Sequence, residues 1–307
     1  MQNFIYISSL LLLGVLLRRI NVFPKNTSQV LNQFVIYVSL PALVLITIPQ
    51  IDLNLLLLPV AIVPWVLLVV SVVLLLICSK IFKWNNNTLA ALLLIVPLGN
   101  TSFLGIPMVK SFFGEGMVAY ALIYDQLGSF LALALYGSIV LAIFDKTQIQ
   151  KNKKIVLKNA LKIVITFPPF LCLLVALYLR KLELQPIYFN LLTPLASTLV
   201  PVIMIAVGFQ LSLKLDSGKM TPFAVGLLIK MFIAPAVALF VFVVLDLKGE
   251  IYQVIVFEAA MPPMISAGAL AIIANLSPRL TAAMLAFGIL LSFISLPIFY
   301  SIITQLL

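Results

Sequence analysis

Apolar residues run along this chain in long blocks, each closed by a short cluster of polar or charged positions. A helix that crosses a bilayer needs roughly 20 mostly apolar residues. Ten blocks of about that kind can be placed, at 3–17, 30–48, 55–78, 88–108, 117–143, 163–179, 191–213, 222–245, 251–275 and 281–304. The pattern predicts an all-α membrane protein of ten transmembrane helices. The first block is expected to be retained rather than removed as a signal peptide. Its basic pair, Arg18 and Arg19, follows the apolar run instead of preceding it, and no small-residue cleavage site intervenes.

One block is interrupted. The stretch VPLGNTSFLGIPMV, Val96 to Val109, carries two prolines, two glycines and an asparagine in the middle of an apolar run. Proline removes an intrahelical hydrogen bond and glycine weakens a helix, so the chain is expected to break there at membrane depth.

The halves of the chain echo one another. LRRINVFP, Leu17 to Pro24, shares its skeleton with LRKLELQP, Leu179 to Pro186, and each follows the first block of its half. SLPALVLI from Ser39 is matched by TLVPVIMI from Thr198, and GIP, Gly105 to Pro107, by AMPP, Ala260 to Pro263. Three echoes in the same order predict two five-helix repeats, 1–145 and 163–307, joined by a basic loop at 146–162. An odd number of spans per repeat turns the second copy upside down. Interrupted helices in corresponding places of inverted repeats mark the substrate site of secondary transporters. Broken backbone is tolerated at membrane depth only inside protein or beside water, so the two breaks are expected to meet. Opposed half-helix ends would then offer N–H groups to an anion and carbonyls to a coupling cation.

Composition agrees and narrows the chemistry. Hydrophobic residues make up 64% of the chain and charged residues 9%, against about 25% charged in soluble domains. There is no histidine, which removes zinc-protease motifs and any Ser-His or Cys-His pair. No acidic cluster suited to magnesium-bound diphosphates is present, and Asp125 and Glu258 make a poor aspartyl pair. The chain is therefore read as no enzyme, with no metal or cofactor beyond a coupling proton or sodium ion. Cys78 and Cys172 fall within or at the edge of spans and are expected to pack as small apolar side chains.

The net charge of +10 belongs to the loops. Of 19 basic residues, fourteen follow odd-numbered spans, and only Lys110, Arg180, Lys181 and Lys248 lie on the other side. By the positive-inside rule the odd loops are cytoplasmic and both termini lie outside a cell membrane. The run Lys146 to Lys162 is then a solvated loop near anionic lipid, and no nucleic acid partner is needed to explain the charge.

Three ionisable residues fall within spans: Asp125, Lys230 and Glu258. Intramembrane charge is expensive and marks function by default, so all three are assigned to ion coupling. Glu258 is foremost, one helical turn before Pro262. For Glu258 the competing reading is a structural carboxylate paired with Lys230; for Lys230 it is snorkelling to an interface. Asn100, Thr101 and Ser266 offer polar side chains at the breaks and are assigned to substrate, with capping of a half-helix as the alternative for Asn100.

LGNTSFLGIPMVKSFFGEG, Leu98 to Gly116, resembles the fourth-span signature of the auxin efflux carrier family, which includes plant carriers and bacterial transporters of malonate-like or malate-like acids. YVSLPALVL at Tyr37, VPVIMIAVGFQL at Val200 and the run from Glu258 to Tyr300 resemble its other signatures in order. The resemblance implies two inverted five-span repeats, a fold related to bile-acid and sodium–proton transporters, and a crossover of spans four and nine at Pro107 and Pro262. It also implies a core of spans 3–5 and 8–10 that moves against a scaffold of spans 1, 2, 6 and 7, the scaffold commonly forming a homodimer. Carried over, Asn100 and the backbone of Gly105, Ile106 and Pro107 would contact substrate, with Ala260, Met261, Pro262 and Pro263 opposite. Two departures stand out. The central loop is short where plant carriers often have a very long one, and Glu258 stands where they tend to have an uncharged polar residue.

The sequence thus predicts a proton- or sodium-coupled secondary transporter of small organic anions working by elevator-like alternating access. Dicarboxylates are favoured over auxin-like acids. A receptor or lipid-interacting protein on the same fold is the alternative, since fold alone does not fix function.

Overall fold

The computed structural model describes residues 2–20, 23–51, 57–144, 153–182, 184–211 and 217–307. Among the described residues every regular element is helical. In chain order these are α1 (Gln2–Arg19), α2 (Thr27–Gln50), α3 (Leu57–Ile81), α4 (Asn86–Ile95), α5 (Ile106–Phe113), α6 (Glu115–Phe144), α7 (Lys153–Thr166), α8 (Pro168–Leu179), α9 (Pro186–Gln210), α10 (Met220–Val244), α11 (Glu250–Ala259), α12 (Ile265–Ile273) and α13 (Pro278–Leu306).

The protein is an all-helical, multi-pass membrane protein. Among the described residues six helices, α2, α3, α6, α9, α10 and α13, are long and apolar enough to cross a bilayer. A seventh span results if Lys158–Thr166 and Pro168–Leu179, bent by 61° at Phe167, are taken together. Ten stretches were expected; two of those that fall short are the interrupted blocks 88–108 and 251–275. α4 and α11 hold 10 residues each, α12 holds 9 and α5 holds 8. At 1.5 Å per residue each covers about 12–15 Å, near half of a hydrocarbon core of about 30 Å.

The helix ends follow local chemistry. Asn85 caps α4 by accepting a hydrogen bond from the Thr88 N–H at 2.9 Å, and proline stands in the first turn of α5, α8, α9 and α13. Proline is tolerated there because its missing N–H has no partner in the first turn. Gly114, at φ 84°, makes the turn from α5 to α6, a left-handed conformation that side chains resist.

Part of the expected basic loop is helical instead. Residues 145–152, with Lys146 and Lys151, lie outside the described residues, as does Lys214. From Lys153 onward the chain is already in α7. The reason is visible in the spacing: Lys154, Lys158 and Lys162 recur every four residues between apolar positions, the period of one helix face.

The helices pack in two groups. α1, α2, α8 and α9 contact chiefly one another, and α3–α6 and α10–α13 do the same. α1 packs extensively on the second half of α9. There Gly14 and Gly208 face each other so closely that a Cβ on Gly208 would run into the Leu11 carbonyl oxygen and lie 3.2 Å from the Gly14 Cα. Outward faces carry large exposed apolar side chains such as Ile5, Leu12, Ile187, Leu191 and Phe240, as lipid contact requires. Cys78 and Cys172 are free thiols, half-buried against the apolar core.

Candidate functional site

The two interruptions lie against each other in the interior. α4 stops at Ile95 and α11 at Ala259, and both segments then continue non-helical and buried. Gly99 and Pro263 form an antiparallel bridge. The Asn100 N–H donates to the Pro262 carbonyl at 2.8 Å, and the Met264 N–H to the Leu98 carbonyl at 3.0 Å. Groups released by breaking two helices are thus satisfied by one another, which is what apolar surroundings demand.

This moves the first break relative to its expected place. The family resemblance implied a crossover at Pro107 and Pro262, but the pairing sets Gly99 against Pro263, and within the expected stretch Val96 to Val109 the interruption falls at 96–100 around Pro97. Pro107 instead sits in the first turn of α5, directly after a π-helical turn, Thr101–Gly105. The Asn100 carbonyl starts that turn by accepting from the N–H groups of both Leu104 and Gly105, at 3.2 and 3.0 Å.

Asp125, Lys230 and Glu258 all converge on this junction. Asp125 is fully buried and accepts three hydrogen bonds: from Thr101 Oγ1 at 2.6 Å, Ser102 Oγ at 2.5 Å and Gln126 Nε2 at 2.7 Å. Its helix α6 is thereby tied to the start of the second half-helix. Lys230, 4% exposed, does not snorkel; its Nζ donates to the Ala259 carbonyl at 3.0 Å, at the end of α11. Glu258 is 0% exposed, and neither of its oxygens has a hydrogen-bond partner. Glu258 and Lys230 are thus neighbouring charges with no hydrogen bond between them. A Cβ on Gly105 would collide with the Glu258 carboxylate, so that glycine makes the room in which the carboxyl group lies.

Near the junction two further polar atoms of the described residues are buried without partners, Asn100 Nδ2 and Gln126 Oε1. Buried polar groups are nearly always hydrogen-bonded. One unpaired donor and three unpaired acceptor oxygens around one junction therefore point to a ligand. Ile106, Met261, Pro262 and Pro263 are buried at the junction, Thr101 bonds Asp125, and Ser266 is half-buried in the first turn of α12. A small cavity of about 10 Å³ lies beside it, lined among others by Ser71, Gly99, Tyr124, Ser129 and Lys230. That is room for about one water molecule.

Sequence reasoning missed several parts. Ser102 and Gln126 are ligands of Asp125 that no motif singled out. π-helical turns carry Thr101, Asp125 and Lys230, at Thr101–Gly105, Tyr124–Phe130 and Ile229–Ile233. Such turns concentrate at functional sites but leave no composition signature. On α3, Pro64 packs its ring on Gly128 and Trp65 Nε1 donates to the Leu127 carbonyl at 2.9 Å, fixing the π turn of α6 from behind.

Two hollows flank the junction along the seam between the helix groups. One, of about 170 Å³, lies between Tyr6 and Ile7 of α1, Pro107, Lys110 and Ser111 of α5, and Ser197 to Pro201 of α9. The other, of about 120 Å³, lies between the end of α9 at Val207 and Gln210 and the helices α12 and α13.

Among the described residues the chain is thus an all-helical membrane protein with two interrupted segments paired around unsatisfied polar groups. The chain belongs to the membrane transport protein family, whose profile matches residues 1–300, as its resemblance to auxin efflux carriers led one to expect. It is 31% identical over 264 residues to an uncharacterized transporter of Methanocaldococcus jannaschii, covering 82% of each chain. To an uncharacterized transporter of Methanothermobacter thermautotrophicus it is 25% identical over 296 residues, 94% of this chain and 93% of that one.

Proposed function

We propose that this protein is a secondary active transporter of small organic anions, binding a substrate carboxylate at Asn100 and the adjoining half-helix ends and coupling its movement to an ion at Glu258. The observation that carries this reading is the junction itself, where Asn100 Nδ2 is a donor without an acceptor beside Glu258, an acceptor without a donor. The N-terminal end of α12 and the start of the turn at Thr101 both lie at the junction, where peptide dipoles favour an anion. Malonate- and malate-like dicarboxylates come first as substrates and auxin-like acids second.

The architecture in this reading is two inverted repeats of five spans, with the interrupted spans crossing at Gly99 and Pro263. Three features support it. α4 and α11 begin and end at matching distances before those two residues. The two bonds across the junction are exchanged reciprocally, Asn100 to Pro262 and Met264 to Leu98. Ser39 and Thr198, which open the echoed motifs, meet with their hydroxyls 2.7 Å apart, as counterparts near a pseudo-two-fold axis do. The group α1, α2, α8 and α9 is then the scaffold and carries the homodimer face, while the second group carries the substrate as an elevator. The hollows at either end of the seam are the openings such a movement alternates between.

The protein reconstituted in liposomes is expected to take up labelled malonate, malate or indole-acetate above protein-free vesicles when a pH or sodium gradient is imposed. Folded protein that moves none of them under either gradient would contradict the proposed substrate class. The orientation, in a cell membrane with both termini outside, has its own test. Lys158 is exposed on α7, and in a variant without Cys78 and Cys172 a Lys158→Cys thiol should react with an impermeant maleimide only after the cells are opened. Labelling in intact cells would reverse the topology.

A further inference from the structure

In a transporter with paired half-helices, the carbonyl end of a half-helix is where a coupling metal cation is ordinarily held. Here that place is taken. The Lys230 ammonium donates to the carbonyl of Ala259, the last residue of α11, at 3.0 Å. It also reaches the first interruption, since a Cβ on Gly99 would lie 3.2 Å from its Nζ. Lys230 thus touches both broken segments beside the bridge that joins them. The charged groups facing the junction are Glu258 of α11 and Asp125 of α6; Tyr124 of α6 is the remaining titratable neighbour of Glu258.

We infer that Lys230 is a tethered cation that occupies the sodium position of this site, so that coupling excludes sodium and runs on a proton carried by Glu258. The inference rests on the transporter reading above for the word coupling, but its structural half stands on binding alone. Three observations carry it. The ammonium is buried and satisfies a carbonyl that a metal ion would otherwise coordinate. Asp125, the second carboxylate, has its oxygens engaged by Thr101, Ser102 and Gln126 and so has little left for a metal. Glu258 has both oxygens unengaged, which leaves it free to bind and release a proton without breaking an existing bond. One carboxyl oxygen needs no coordination shell to take a proton, whereas sodium would need several oxygens around it.

Sodium binding can be read without any substrate, from thermal unfolding of purified protein in sodium chloride and in choline chloride at equal ionic strength. Wild type is expected to unfold at the same temperature in both. Lys230→Ala removes the ammonium and leaves the Ala259 carbonyl and the Glu258 carboxylate facing an open space. It should gain a saturable, sodium-specific rise of roughly 2 to 3 °C at about ten times the dissociation constant. A sodium-specific rise in wild type overturns the inference, and so does folded Lys230→Ala without one. Uptake of labelled sodium by wild-type proteoliposomes gives a second route that needs no variant: sodium entering with substrate overturns it, and none entering while a pH gradient drives uptake supports it. Failure of every acid to be transported would defeat the transporter reading while leaving the unfolding result to judge Lys230.

Discussion

Glu258→Gln is expected to abolish gradient-driven accumulation while sparing exchange of substrate across the same membrane. Glutamine keeps the shape and volume of the carboxyl group above Gly105 and stands permanently for its protonated form. It can neither take up a proton on one side nor release it on the other. Driven uptake should fall by about 100-fold, the order expected when a positioned proton-transfer group is lost. Exchange of internal for external substrate needs only that the loaded carrier reorient, and should persist within a few-fold of wild type. The two rates, measured in one preparation of proteoliposomes with and without an imposed pH gradient, separate a coupling residue from a structural one. Equal loss of both would make Glu258 part of the scaffold of the junction, and loss of neither would remove it from the mechanism.

Much of this arrangement is legible in the sequence because membrane insertion imposes strong local rules. The apolar blocks place the helices, since a bilayer leaves few other structures for a backbone to adopt. Pro97 and Gly99 announce one break, Pro262 and Pro263 the other, and charges as costly as Asp125, Lys230 and Glu258 have to lie inside. The structure brings all of them to one junction. Register was less legible. Gly105-Ile106-Pro107 and Ala260-Met261-Pro262-Pro263 look alike as strings, but a proline in a first helical turn and a proline in a break differ only in what surrounds them. The π-helical turns were not legible at all, because their cause is tertiary: Pro64 pressing on Gly128, and Asp125 drawing in Thr101 and Ser102. Nor did the lysine's partner follow from spacing. Lys230 and Ala259 are on different helices, and nothing local distinguishes a snorkelling lysine from one bonded to a helix end.

Gly208→Leu should be the most damaging substitution outside the junction, and it acts on stability rather than on transport chemistry. Gly14 and Gly208 bring α1 and α9 into backbone contact: a Cβ at Gly208 meets the Leu11 carbonyl oxygen, and one at Gly14 meets the Ile205 carbonyl oxygen and, at 2.9 Å, the Phe209 nitrogen. In lipid, where burial of apolar surface no longer drives helices together, such close approach of small residues is what holds a helix pair. A leucine at position 208 finds backbone on the other side, not a flexible side chain that can rotate away, so the helices must separate along the whole contact. The penalty is expected at about 3 kcal/mol, the upper part of the range for overpacking, equivalent to a fall of roughly 5 °C in unfolding temperature. Loss of the monodisperse peak on heating, followed by size-exclusion chromatography in detergent, measures it. Gly218, where an added Cβ would meet nothing within 4 Å, supplies the control: Gly218→Ala should unfold within about 1 °C of wild type, as surface changes usually do. If Gly208→Leu unfolded with it, α1 and α9 would not be the packed pair on which the rest of the first helix group is assembled, and the rigid scaffold that the elevator reading requires would have to be sought in other helices.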